Sequence, residues 1–168
     1  QFGSFAGGNF AANPDAASRT VTIGAGASTL AGIRDAVNAA AIGVTANIVN
    51  DGSANGAHLV FTSTASGAAN SLRITAADDD GNPLDAAGLS QLAYDPAGAV
   101  GAGRNLVEKV TAQNALFMLD GLAVSKASNT VTDVIQGVTL TLLKQSAAGT
   151  ATALTVTQDS ASVKTAVE

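Results

Sequence analysis

Short runs of alternating polar and apolar residues, each cut off within a few positions by Gly, Asp or Asn, limit this chain to small sheets joined by tight turns. The clearest runs are residues 44–50 (VTANIVN) and 57–63 (AHLVFTS), separated by DGSANG, and residues 115–126 (ALFMLDGLAVSK). A period of two puts every second side chain on one face, so Val44, Ala46 and Ile48 share a side. Asp120-Gly121 between two apolar runs is the strongest short hairpin signal in the chain. Residues 20–24 (TVTIG), 71–77 (SLRITAA), 138–144 (VTLTLLK) and 151–158 (ATALTVTQ) read as further strands.

One segment changes period. Ser28 suits an N-cap for a helix over residues 29–41, with Leu30, Ile33 and Val37 on one face. Gly43 then stands where a left-handed C-cap is wanted. Residues 1–19, rich in Gly, Ala and Asn, read as a loop pinned to a surface by Phe2, Phe5 and Phe10. Residues 78–88 (DDDGNPLDAAG) form a polar loop and residues 98–103 (GAVGAG) a flexible stretch. Residues 128–137 read as a capped helical turn or short loop whose Val131, Val134 and Ile135 face a core. Asp159 reads as the N-cap of a last helix.

The expected architecture is α+β and β-rich, in two small modules. Residues 1–103 form a β-α-β-β-β unit, and residues 104–168 an antiparallel four-strand β meander. The chain opens at Gln1 rather than Met and closes at Glu168 within the last helical segment, so it is expected to be a piece of a longer protein. Aromatics make up 4% of it and Trp is absent, so its cores rest on Ala, Val, Leu, Ile and Thr, which bury less area per residue.

Charge and composition exclude several functions. Eight Lys and Arg are scattered through a chain of net charge −5, which disfavours a nucleic-acid partner and an anionic membrane surface. No apolar run approaches the roughly 20 residues that span a bilayer. Without Cys there is no disulfide, no thiol chemistry and no Cys-based zinc site.

The candidate chemical motifs each break at a required position. Gly24-Ala25-Gly26 lies between a strand and a helix, as a dinucleotide fingerprint would, but Thr29 stands where the third Gly belongs. Asp78, Asp80 and Asn82 have calcium-loop spacing, yet Pro83 occupies the Gly position and Leu89 the bidentate carboxylate position. His58 is the single His, and no G-x-S-x-G elbow accompanies it. Asp120, Asp133 and Asp159 sit at turns or caps, where carboxylate oxygens serve backbone N–H groups. No enzyme activity, catalytic residue, cofactor or metal is expected.

Two blocks carry a family resemblance. The second is Asn114-Ala115, Asp120-Gly121, Ser128-Asn129-Thr130-Val131, Asp133-Val134-Ile135, Gly137-Val138-Thr139-Leu140-Thr141-Leu142, then Thr155-Val156 with Asp159. In this order the block resembles the flagellar cap protein family, also called hook-associated protein 2. The first block is Ser28-Thr29-Leu30, Ile33, Val37-Asn38, Gly43-Val44-Thr45-Ala46 and Leu59-Val60-Phe61-Thr62-Ser63. It looks like the small β-α-β repeat inserted in flagellins and cap proteins.

The resemblance implies a structural, extracellular protein at the distal tip of the bacterial flagellum. It implies oligomerisation with other cap protomers and support for insertion of exported flagellin. The family carries coiled-coil leg segments at both chain ends, so this chain corresponds to the head. Two alternatives stay open. One is an adhesin or glycan-binding head taking host surface glycans, with Tyr94 and the N-terminal Phe cluster as candidates. The other is the head domain of a flagellin or hook-junction protein.

Overall fold

In the computed structural model the chain forms eleven strands and one α-helix among the described residues, which are 1–147 and 149–153. The strands are β1 (Phe2–Ala6), β2 (Asn9–Ala12), β3 (Val44–Asn50), β4 (Ala57–Ser63), β5 (Ser71–Leu72), β6 (Tyr94–Val100), β7 (Ala102–Arg104), β8 (Ala115–Leu119), β9 (Leu122–Lys126), β10 (Thr130–Ile135) and β11 (Val138–Thr141). The helix α1 spans Leu30–Ala39. One three-stranded sheet has the order β2-β1-β5, and β3-β4, β6-β7, β8-β9 and β10-β11 each form a pair. The architecture is α+β and β-rich, as the alternation implies.

The main core lies between α1 and the β3-β4 hairpin. Ile33, Val37 and Ala46 are buried there, with Val44, Leu59 and Phe61 packed against them. Thr29, rather than the expected Ser28, caps the helix: its Oγ1 accepts from Gly32 N–H at 3.1 Å. Ser28 instead donates to the Ala25 carbonyl. Residues 20–24 pair with no strand. Val21 and Ile23 do pack on the core, so the alternation places their faces. The edge of β3 beside α1 is closed at Ala46, whose N–H and C=O are both bonded to the Asn38 side chain.

The first residues are not a loop. Gly3 pairs with Ala12 and Phe5 with Phe10 around the Gly7-Gly8 turn, and β1 takes Ser71 opposite Gly3 on its other side. Phe5 and Phe10 stand directly opposite each other in a hairpin whose Ala, Gly and Asn content has little strand propensity, and the Phe10 ring lies over Gly3. Phe10 also lies under the Arg73 guanidinium, 4.6 Å from ring centroid to Cζ. The strand expected over residues 71–77 is cut short because it changes partners. Ser71 and Leu72 pair with β1, while Ile74 bridges to Tyr94. The stretch expected to be flexible, residues 98–103, lies in β6 and β7, which are joined through Gly101.

In the last part, β8 and β9 form the expected hairpin, with Phe117 opposite Val124 and Leu119 opposite Leu122. Asp120 and Gly121 have φ of +49° and +82°, the left-handed pair that matches the strand twist in a two-residue turn. Residues 130–135 form strand β10 instead of a helical turn or loop. The register shifts between Val131 and Ile135, and this bulge breaks the period of two. Val131 is 2% exposed and forms the buried point of this part. The two hairpins are separate sheets rather than a continuous meander among the described residues. They are tied side to side by Lys126 and Asp133 at 2.7 Å. The strand expected over residues 151–158 and the helix after Asp159 fall outside the described residues, apart from residues 151–153, which are not strand.

Candidate interaction surface

The small core leaves much of the apolar content outside, and the β8-β9 hairpin shows where. Alternation along ALFML sends Phe117 and Leu119 to one face, where they are half-buried with Val124 across from Phe117. Leu116 and Met118 point to the other face and are 78% and 65% exposed. Their cross-strand partners are the small Ser125 and Ala123, so nothing on the hairpin covers them. Leu122 at the turn and Val107 and Val110 in the preceding connector are exposed as well. Leu116 and Met118, two positions apart on one face of the hairpin, are thus an exposed apolar pair, while Leu122 stands on the face of its partner Leu119. The sequence signal was available: both alternating sets of β8 are apolar, which a strand buried on one side does not need.

The candidate chemical residues are spread apart, each held by backbone or by one neighbouring side chain. His58 Nε2 lies 2.9 Å from Asp51 Oδ2 at the tip of the β3-β4 hairpin, with both side chains about half exposed. The pair resembles part of a triad, but no Ser hydroxyl is bonded to His58 among the described residues. Asp51 also accepts the Ser53 N–H, and this bond, more than His58, holds its carboxyl down at about 2.

Asp78 accepts the N–H of the fully buried Ser90 at 3.1 Å, which holds its carboxyl below the usual range. Asp80 receives the Asn82 N–H at 2.8 Å, which pulls it down. Hydrogen bonding to Asp78, desolvation and the negative charge of Asp78 and Asp85 outweigh that bond, so its carboxyl is raised. Leu89 packs toward the main core. Among the described residues no group of three His, Cys, Asp or Glu is arranged to hold a metal ion. Gly24 precedes a single turn of 3-10 helix, Ala25–Ala27, that holds Ala25 and Gly26, and the residues directly before it, 20–24, pair with no strand. Asp120 occupies its turn, Asp133 its bond to Lys126, and Asp159 lies outside the described residues.

Tyr94 is not available to stack on a sugar. It is 8% exposed, on the strand that bridges to Ile74. Burial first, and then the neighbouring Glu108 carboxylate, push its phenol up to about 12. Of the N-terminal Phe residues, Phe2 and Phe10 are half-buried and Phe5 is 37% exposed. Burial therefore removes Tyr94 from the glycan-binding candidates, and Phe5 is the one exposed ring of that set.

Comparison with known proteins bears on both halves of the chain. Residues 112–168 match the family model described as flagellar hook-associated protein 2 C-terminus. The chain is 41% identical over 150 residues to the B-type flagellar hook-associated protein 2 of Pseudomonas aeruginosa PAO1, covering 86% of this chain and 30% of that protein. It is 38% identical over 144 residues to flagellar hook-associated protein 2 of Salmonella typhimurium LT2, covering 85% of this chain and 28% of that protein. The crystal structure of FliD (HAP2) from Pseudomonas aeruginosa PAO1 superimposes with a TM-score of 0.68 at 38% identity, over 88% of this chain and 64% of that one. The chain thus spans under a third of the length of these two curated relatives. The family model takes the last residues alone, whereas the relatives run through the α1-β3-β4 core as well, and on that ground the whole chain belongs to the flagellar hook-associated protein 2 family.

Proposed function

We propose that this chain is head structure of a flagellar tip cap: a non-enzymatic, extracellular component that packs against other cap protomers and supports insertion of exported flagellin. Family membership supports the cap role. The observation that carries the mechanical part is the uncovered Leu116–Met118 face, set on a hairpin stiffened by its two-residue turn and by Lys126–Asp133. In this reading the face meets a protein neighbour in the assembled cap. We further propose a division into two modules near residue 103, although backbone bonding of the first module runs on to Leu106, whose N–H reaches the Ala93 carbonyl.

The test is a Leu116→Ser, Met118→Ser double variant in the full-length protein. Circular dichroism should be unchanged, because both side chains already face water. Sedimentation velocity should show weaker self-association, and cells carrying the variant should grow shorter filaments. Unchanged association together with unchanged filament length would remove this face from the cap contacts.

A further inference from the structure

No strand of β8-β11 pairs with a strand of residues 1–106 among the described residues. The connector between Asn105 and Ala115 carries no regular element. A hairpin attached in this way swings unless side chains hold it, since relative motion is the default for parts joined by a thin interface. Two contacts do hold it, and they meet at one place.

The first contact is Asn114, at the end of the connector. Its Oδ1 accepts the backbone N–H of Ala68 at 2.8 Å, across 46 residues of sequence. Its Nδ2 donates to Ser125 Oγ on β9 at 3.1 Å. One carboxamide therefore grips the turn between β4 and β5 with its acceptor and the hairpin with its donor. Ala can replace neither bond, whereas the Ser125 hydroxyl, which can donate as well as accept, leaves a carboxylate at this position able to keep both.

The second contact is Gly67, next to Ala68. A Cβ at Gly67 would stand 2.6 Å from Ala127 Cβ and 2.9 Å from Ala127 Cα, and its φ is +97°. The residue after β9 thus sits directly against the Gly67 backbone. The missing side chain at 67 is what lets the hairpin come close enough for Asn114 to reach both partners.

We infer that Asn114, seated by the Gly67–Ala127 contact, is an orientation latch that fixes the β8-β9 hairpin on the α1-β3-β4 module. It acts on the relative placement of the two parts and not on the fold of either.

The native chain contains no Cys, so two introduced thiols can be spin-labelled without background. Labels at the exposed positions Ala54→Cys, at the β3-β4 tip, and Ala123→Cys, on β9, report the distance between the two parts. Pulsed electron resonance should give one narrow distance in the parent. Asn114→Ala should lose that single population to a broad one while the circular dichroism spectrum and the protection of β3-β4 amides stay the same. Ser125→Ala removes only the hairpin arm, on the surface, and should broaden the distance to a smaller degree. It decides the matter if Asn114→Ala fails to fold. A narrow, unshifted distance in Ser125→Ala and in any folded Asn114→Ala protein would overturn the latch.

Discussion

Asn38, in the last turn of α1, and Ala46, in the middle of β3, are bonded to each other twice: Asn38 Nδ2 donates to the Ala46 carbonyl at 2.9 Å, and Ala46 N–H donates to Asn38 Oδ1 at 2.8 Å. The carboxamide takes the place of a neighbouring strand at this point. Ala46 is 1% exposed, so water does not serve its backbone. The two bonds therefore close a sheet edge and dock the helix in the same stroke.

Asn38→Ala should cost about 2 kcal/mol. It strands one buried donor and one buried acceptor, each worth about 1–3 kcal/mol when left unmade, and only part of that returns through helix propensity and water entry. Urea denaturation followed by circular dichroism reads the loss as a lower midpoint at unchanged slope.

Gly121→Ala should destabilise the β8-β9 hairpin by about 1 kcal/mol, because an L side chain at a φ of +82° meets its own backbone. Asp120 tolerates the same region better, since a short polar side chain is less penalised there. Hydrogen exchange should show the loss in β8 and β9 amides, with the β3-β4 amides unaffected.

The acid response of the β3-β4 tip follows from Asp51. Its folded value of about 2 lies below the ordinary 3.8, so the stabilisation is fully present above 3.8 and is lost as pH falls through about 2. The Ser53 N–H, which Asp51 accepts at 2.9 Å, is the reporter. Its amide chemical shift should titrate with a midpoint near 2. A midpoint at the ordinary carboxylate value would mean that the bond does not persist in solution. Asp51→Asn should abolish the transition.

Tyr94 is the single Tyr, so ultraviolet titration sees one phenol. The midpoint should lie near 12 in the native chain and fall to about 10 in denaturant. The neutral phenol is the favoured form in the fold, so its contribution is complete below the denatured value and disappears as pH rises through the native one. Glu108→Gln should lower the native midpoint, since burial remains but the adjacent charge is gone.

The hairpins of this fold could be read from residues that act locally. DGSANG between alternating runs and Asp120-Gly121 between apolar ones specify β3-β4 and β8-β9 without help from the rest of the chain. The helix was legible to within a turn, with the cap one residue off because Ser28 and Thr29 both carry a suitable hydroxyl. β10 was hidden by its bulge, which moves Val134 and Ile135 out of alternation. β1 and β2 were hidden by composition, because β1 is completed by the distant strand β5 rather than by local propensity. The exposed Leu116 and Met118 could be seen as surplus apolar residues, but not as uncovered ones. The bridge of Tyr94 to Ile74 and the bond of Asn114 to Ala68 are long-range contacts that no local pattern encodes.

The pairing of Gly3 with Ala12 on one side and with Ser71 on the other sets an order of events for folding. The β1-β2, β3-β4, β8-β9 and β10-β11 pairs each close a short loop, so they can form on the microsecond scale typical of hairpins. Joining β1 to β5 closes a loop from Gly3 to Ser71, about two-thirds of the first module, and its entropy is lost before the two-residue strand Ser71–Leu72 returns any gain. The chain should therefore refold in two kinetic steps, fast hairpin growth followed by slower closure. Substitutions in β5 should slow the second step and leave the first untouched.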